Sequence, residues 1–301
     1  MPIQHFLTLD DLDKASLQNL LDRAIDLKQL SLKNSQFEPL KNKSLATIFT
    51  KASTRTRVSF EVGMRQLGGG TVNLTPSESQ IGRGEPVEDS ARVISSMVDA
   101  VMIRTDSHSM VEKFSEHSSV PVINGLTDDF HPCQLLADLQ TWQELRGNIQ
   151  GAKVAWIGDG NNVCHSWMNA ARIFDFTLDI ATPEGFEPYP SVCEKNKDSI
   201  RLGDNPQSSA EKADLVVTDT WASMGQEDEK ASRLESFAGY CVDDKLMALA
   251  NSDALFMHCL PAYRGMEVSE SVFEGRQSVV FPEAENRLHA QKALLEFLMA
   301  D

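Results

Sequence analysis

The run Ser53-Thr54-Arg55-Thr56-Arg57 crowds hydroxyl and guanidinium donors into five residues. An arginine fork matches phosphate oxygens bidentately, as a lysine ammonium does not, so these types suggest a phosphate cradle. The alternative is a Ser/Thr helix cap followed by solvated arginines, since caps are common. Arg104 closes the apolar run Ala100-Val101-Met102-Ile103 and is a second candidate anion ligand, or an arginine snorkelling at a strand end. His131 and Gln134 stand together in His-Pro-Cys-Gln. Asp219 follows Leu215-Val216-Val217-Thr218, where a carboxylate either receives a substrate ammonium or caps the next segment. In His258-Cys259-Leu260-Pro261 a thiol sits just past another apolar run.

The elements around these residues have a repeating order. Leu45 to Phe49 reads as a buried strand, and Phe60, Gly63, Met64 and Leu67 mark one face of a helix after the Ser53–Arg57 run. A strand-to-helix turn there aims backbone N–H groups and the positive end of the helix dipole at one point. Earlier, Asp10 or Asp11 suits the cap of a helix striped by Leu17, Leu20, Leu21 and Ala24. Gly68-Gly69-Gly70 allow a sharp return into a short strand over 71–74. The polar stretch from Ser77 to Pro86 reads either as a functional loop or as a plain surface excursion. A helix from Pro86 carries Val87, Ala91, Ile94 and Val98 and leads into the strand ending at Arg104. Val120 to Ile123 is a further strand, and a helix from Cys133 to Arg146 bridges to the second half.

That half opens on the strand Lys153–Ile157 and the turn Gly158-Asp159-Gly160-Asn161-Asn162, before a helix bearing Val163, Trp167, Ala170, Ala171 and Phe174. A dinucleotide fingerprint wants a third glycine where Val163 stands, which makes that hypothesis weak. Strands ending near Thr218 and Met257 follow, and a closing helix from near Glu283 carries Arg287, Leu288, Ala293, Leu294 and Leu298. Such alternation predicts an α/β protein of two doubly wound domains. Each is a mainly parallel sheet flanked by helices, and helices bridge the two.

The chain's 301 residues suit two domains of roughly 150 residues each. Lys and Arg number 28 against 44 Asp and Glu, a formal charge of −16 that argues against nucleic-acid or anionic-membrane partners. Within so acidic a chain, clustered arginines are the more informative. No basic region precedes an apolar run at the N-terminus, and no run is long enough to cross a bilayer. Five scattered cysteines without a CxxC pair fit free thiols in a reducing cytoplasm.

Four of these motifs, Ser-Thr-Arg-Thr-Arg at 53–57, His-Pro-Cys-Gln at 131–134, Asp-x-x-x-Ser-Met-Gly at 219–225 and His-Cys-Leu-Pro at 258–261, occur in an order that resembles the ornithine carbamoyltransferases across nearly the whole chain. The resemblance implies transfer of a carbamoyl group from carbamoyl phosphate to the δ-amine of L-ornithine, giving L-citrulline and phosphate. It implies that Ser53, Thr54, Arg55 and Thr56 hold the phosphate, that Arg104 reaches phosphate and carbonyl oxygen, and that His131 and Gln134 hold the carbamoyl end. The backbone at Cys259 and Leu260, with Arg287, completes that set, and Gln80 joins it from a loop near a neighbouring subunit's site. Asn162, Asp219, Ser223 and Met224 resemble the ornithine-binding set; Arg104, His131, Asp219 and Cys259 are the catalytic candidates. A donor domain over 1–134, with a C-terminal helix about 285–301 packed back on it, and an acceptor domain over 135–284 follow from the same likeness, as does a cytoplasmic homotrimer or multiple of trimers. Tyr263 departs from the histidine of many relatives. No cofactor or metal is implied, since His131, His258 and the cysteines lack ligand spacing. The competing classes are a nicotinamide enzyme using Gly158 to Asn162, a carbamoyltransferase with another acceptor such as putrescine, and a non-catalytic anion-binding module; the acceptor set Asn162, Asp219 and Cys259 argues against the last.

Overall fold

Apolar runs of four to six residues build two separate parallel sheets, one in each half of the molecule. The computed structural model describes residues 3–33, 37–51, 53–75, 84–221 and 230–300. The chain divides into one unit of Met1–Gln140 with Glu285–Asp301 and another of Thr141–Ala284.

In the first unit, β1 (Ser44–Phe49), β2 (Gly70–Leu74), β3 (Ala100–Arg104) and β4 (Val122–Leu126) pair in the order β2-β1-β3-β4, all parallel. The helices are α1 (Lys14–Leu32), α2 (Thr54–Gln66), α3 (Val87–Ser95) and α4 (His108–His117). A parallel sheet needs both faces covered, and β1 and β3 are accordingly buried nearly end to end. Ala46, Ile48, Val101, Ile103 and Val122 pack with Ala91 of α3 and with Val111 and Phe114 of α4. The cap of α1 is Asp13, whose carboxylate accepts the Ser16 N–H at 2.7 Å; Asp10 and Asp11 belong to a preceding 3-10 turn instead. Thr8 caps that turn, so the acidic pair expected to start the helix is spent one turn earlier.

Helix α5 (Pro132–Arg146) carries the chain into the second unit. There β5 (Lys153–Ile157), β6 (Thr177–Ala181), β7 (Ile200–Gly203), β8 (Leu215–Thr218) and β9 (Leu255–His258) form a parallel sheet ordered β7-β6-β5-β8-β9. Its helices are α6 (Asn162–Phe174), α7 (Pro190–Asn196), α8 (Pro206–Ala210), α9 (Lys230–Ser236), α10 (Asp244–Met247) and α11 (Glu270–Phe273). Ala155, Ile157, Val216 and Phe256 pack with Trp221, Phe237, Tyr240 and Phe273. Helix α6 has ten buried residues, more than the single face its apolar spacing suggested.

Helix α12 (Val280–Met299) returns the chain to the first unit. It starts three residues before Glu283, because Pro282 falls in a first turn whose N–H groups have no intrahelical acceptor anyway. There it packs on α2, where a Cβ on Gly63 would meet Leu288 and Leu295 at 3.7 and 3.8 Å. Each sheet is doubly wound. The strand order reverses between β1 and β3 in one and between β5 and β8 in the other, the points at which such sheets open a crevice at their carboxyl ends.

Candidate active site

The first switch point gathers cations. Phe49 and Arg104 are register partners, so the end of β3 lies beside the turn into α2. A register shift between Ile103 and Arg104 re-aims that terminal side chain. Arg104 Nη1 donates to Thr56 Oγ1 at 3.1 Å, and Arg287 Nη2 of α12 donates to the same oxygen at 3.3 Å. Arg287 Nη1 also donates to Gln134 Oε1 at 2.6 Å, and Gln134 Nε2 donates to Asp138 at 2.8 Å. Thr56, His131, Gln134 and Arg287 are all buried. Ser53 occupies the N-cap position of α2 with extended backbone, yet its side chain makes no capping bond. The first-turn N–H groups of a 13-residue helix are therefore not claimed by that hydroxyl. Arg57 departs from the cradle and forms a surface ion pair with Glu61 at 2.6 Å.

His131 reports the local field. Burial pushes its imidazole well below the usual histidine range, and Arg287, Arg104 and Arg55 push the same way. The ring is neutral, with one N–H to donate, in a pocket of positive potential.

The second switch point gathers a carboxylate, amides and a thiol. Asn161 caps α6, accepting from the N–H groups of Val163 and Cys164 at 3.0 and 3.1 Å, and its amide donates to Asp219 Oδ2 at 2.8 Å. Asn162 is the first residue of the helix. Asp219 Oδ1 accepts from the Thr220 N–H at 2.7 Å and from Cys259 Sγ at 3.0 Å. Asp219 thus holds the backbone of the next residue while facing the other polar groups. Because β5, β8 and β9 are neighbours, Asn161, Asp219 and Cys259 converge at their carboxyl ends. Behind them, Asp159 pairs with Arg233 at 2.7 Å, and Arg233 also donates to Trp221 O at 2.7 Å. Burial raises the Asp159 carboxyl to about 6 against the opposing pull of Arg233, with the Asp219 charge adding to the rise.

Folding also brings ligand atoms of Asp219, His258 and Cys259 within 4.8 Å of one another, a grouping that linear spacing hid. Both ring nitrogens of His258 are engaged, however, one with Glu267 and one with the Leu260 N–H. That donor set is committed to holding the loop. Gln80, Ser223 and Met224 lie outside the described residues.

The family model for the carbamoyl-P binding domain of aspartate/ornithine carbamoyltransferase matches residues 4–144, and that for the Asp/Orn binding domain matches residues 150–298. The chain belongs to the aspartate/ornithine carbamoyltransferase family. A protein of Hydrogenovibrio crunogenus named ornithine carbamoyltransferase is 59% identical over 300 residues, covering 100% of this chain and 99% of the relative. One of Nitrosococcus oceani with the same name is 60% identical, covering 99% and 98%. The crystal structure of ornithine carbamoyltransferase from Burkholderia thailandensis superposes with a TM-score of 0.92 at 48% identity, covering 99% of each chain.

Within this carbamoyltransferase fold, Asn161, Asp159, Arg233 and Glu267 are the residues that sequence reasoning missed. Asn161 carried a signal, an amide just before a helix, the preferred N-cap type. Glu267 carried none, since its partner His258 is known only once the loop between them is folded.

Proposed function

We propose that the protein transfers the carbamoyl group of carbamoyl phosphate to the δ-amine of L-ornithine, giving L-citrulline and phosphate. The observation that carries this is the pairing of an Arg-rich anion site around Thr56 with a separate carboxylate site at Asp219, within a chain whose relatives are named for that reaction. Residues 1–134 with the C-terminal helix form the donor domain and 135–284 the acceptor domain. Ser53, Thr54, Arg55 and Thr56 take the phosphate, with Gln80 from a neighbouring chain. Arg104, His131, Gln134 and Arg287, with the main chain of Cys259 and Leu260, take the carbamoyl end. Asn162, Asp219, Ser223 and Met224 take ornithine.

Attack by the neutral amine forms the N–C bond and breaks the C–O bond to phosphate, which leaves with the electron pair and takes up the proton that the amine gives off. Negative charge builds on the carbonyl oxygen, where Arg104 and neutral His131 are preorganised donors. The Thr56 oxygen already accepts two guanidinium N–H groups, so its own proton is left for a bound oxygen. Holding two small molecules in line supplies much of the rate, and no covalent enzyme adduct is needed. A carboxylate offers about four acceptor directions, and three at Asp219 are used within the protein, which leaves one for the substrate ammonium. An acid there attracts ornithine and repels a dicarboxylate such as aspartate. We further place the enzyme in the cytoplasm, where its five cysteines, none of them in a disulfide, stay reduced.

A colorimetric citrulline assay with carbamoyl phosphate tests this, run side by side with ornithine, putrescine and aspartate. Ornithine is expected to lead in kcat/KM, and Asp219→Asn to damage ornithine use far more than carbamoyl phosphate binding. Comparable rates with putrescine or aspartate would overturn the acceptor while leaving carbamoyl transfer standing.

A further inference from the structure

His258 and Glu267 are both completely buried, and their side chains meet at 3.1 Å between Nε2 and Oε1. No substrate contact has been assigned to either. The other ring nitrogen decides how the imidazole is protonated. Nδ1 lies 2.9 Å from the backbone N–H of Leu260, a group that only donates. Nδ1 must therefore accept, which puts the ring proton on Nε2 and directs it at Glu267. The same Glu267 oxygen accepts the Tyr263 N–H at 2.6 Å, and the His258 N–H goes to Glu283 Oε2 at 2.9 Å.

The loop needs this support. Leu260 sits at φ +58, a left-handed conformation that is unfavourable for an L-residue and persists only where neighbours determine it. The bond from the Leu260 N–H to His258 Nδ1 closes over Cys259 and anchors the nitrogen from which that left-handed turn starts. Its neighbour Cys259 reaches Asp219 at 3.0 Å, so the same three residues carry an acceptor-side contact and the main chain assigned to the carbamoyl end.

We propose that Glu267 and His258 are a positioning pair: Glu267 fixes the Nε2–H tautomer of His258, and the Nδ1 left bare holds the Leu260 N–H and so aims the Cys259-Leu260 main chain at the carbamoyl group. The ligand named here rests on the carbamoyl-transfer reading; the tautomer does not.

Three substitutions separate the parts. His258→Asn keeps an acceptor oxygen near the Nδ1 position, His258→Gln keeps only a donor near Nε2, and His258→Phe keeps neither. The KM for carbamoyl phosphate is expected to rise on the order of tenfold in His258→Gln and His258→Phe, as for a buried donor left unpaired, and about threefold or less in His258→Asn. Inorganic phosphate, which meets the Ser53–Thr56 cradle with Arg104 and Gln80 and not the Cys259-Leu260 main chain, should bind all three variants as it binds the unaltered protein. Equal losses in His258→Asn and His258→Gln, or a parallel loss of phosphate affinity, would sink the pair. Should the variants fail to fold, long-range 15N–1H correlation on the unaltered, histidine-labelled protein decides the matter. The Nε2–H form at His258 is expected, and an Nδ1–H or doubly protonated ring overturns the proposal. Absence of citrulline from the unaltered protein sinks the reaction on which the ligand rests; citrulline formation with an Nδ1–H ring sinks the pair alone.

Discussion

Thr56 gives its oxygen to two guanidinium groups, one from the end of a strand and one from the last helix, which makes a single hydroxyl the hub of the anion site. Arg55 stands one residue before it, at the start of the same helix. If its fork grips phosphate bidentately, Arg55→Lys removes one of two parallel charged hydrogen bonds. A loss of about 2 kcal/mol in carbamoyl phosphate binding is expected. Calorimetric titration of the folded variant checks it, and an unchanged affinity rules out the role. His131 makes a separate claim through pH. Its folded proton affinity is lowered by burial first and by Arg287, Arg104 and Arg55 next, whereas the unfolded ring titrates near 6.5. The stability that neutral His131 contributes is therefore fully present above pH 6.5. It is lost as pH falls below that, when only the unfolded chain binds the proton, with a limiting slope of about 1.4 kcal/mol per pH unit. Urea midpoints at pH 7.5 and 5.5 are expected to fall further apart in the unaltered protein than in His131→Gln. Equal falls in the two would mean that the ring is not held neutral.

At the scale of elements, what positions the site is the carboxyl ends of neighbouring strands and the helix starts beside them. Gly160 shows how tightly one such turn is built. Its N–H donates to Phe186 O at 2.8 Å, and a Cβ added there would lie 2.3 Å from the backbone nitrogen of Pro188. Backbone cannot give way as a side-chain tip can, so Gly160→Ala is expected to cost about 1–3 kcal/mol and to displace Asn161 beside Asp219. Thermal unfolding reads the first effect and the ornithine KM the second; a variant unchanged in both would show that the turn is slack. Strands β1, β3, β5, β8 and β9 were legible because each is an apolar run buried on both faces, β4 through its apolar start Val122-Ile123 and β2 through the glycine return before it, and the switch-point residues were legible with them. β6 was not, because Asp179 interrupts its run. Its buried carboxylate pairs with Lys153 of the neighbouring strand at 3.0 Å, a partner that linear reading does not supply. β7 alternates Ile-Arg-Leu-Gly at a sheet edge, and α7, α8, α10 and α11 are too short for a helical period to show. Glu267 and Arg233 escaped for the same reason as Asp179: each is defined by a contact that exists only in the folded chain.

The whole molecule is acidic, with a formal charge of −16, yet its donor site is locally cationic. Such focusing favours a small anion over a polyanion that would meet the rest of the surface. The first unit also leaves apolar side chains in water: Val58 on α2, Val72 on β2, Val93 on α3 and Met97 shortly after it, the last at 75% exposure. β2 lies at a sheet edge. Apolar residues exposed singly are ordinary on a protein surface, so the assembly is argued from the family likeness, and a closed ring of identical chains is an ordinary form for it. We infer a trimer or a multiple of it, with Gln80 of one chain serving the site that holds Asp219 of another. That arrangement has a quantitative consequence. Gln80→Ala and Asp219→Asn are each expected to abolish activity, since every site in either homotrimer lacks one group. Mixed at equal amounts with full subunit exchange, each site draws Asp219 from one chain and Gln80 from the next independently. About one site in four is then intact, and about a quarter of the unaltered activity returns. If each site were built from one chain, no mixing ratio would restore any activity, because every chain carries one lesion. Sedimentation of tagged and untagged chains verifies the exchange, and silence in a verified mixture rejects the shared site.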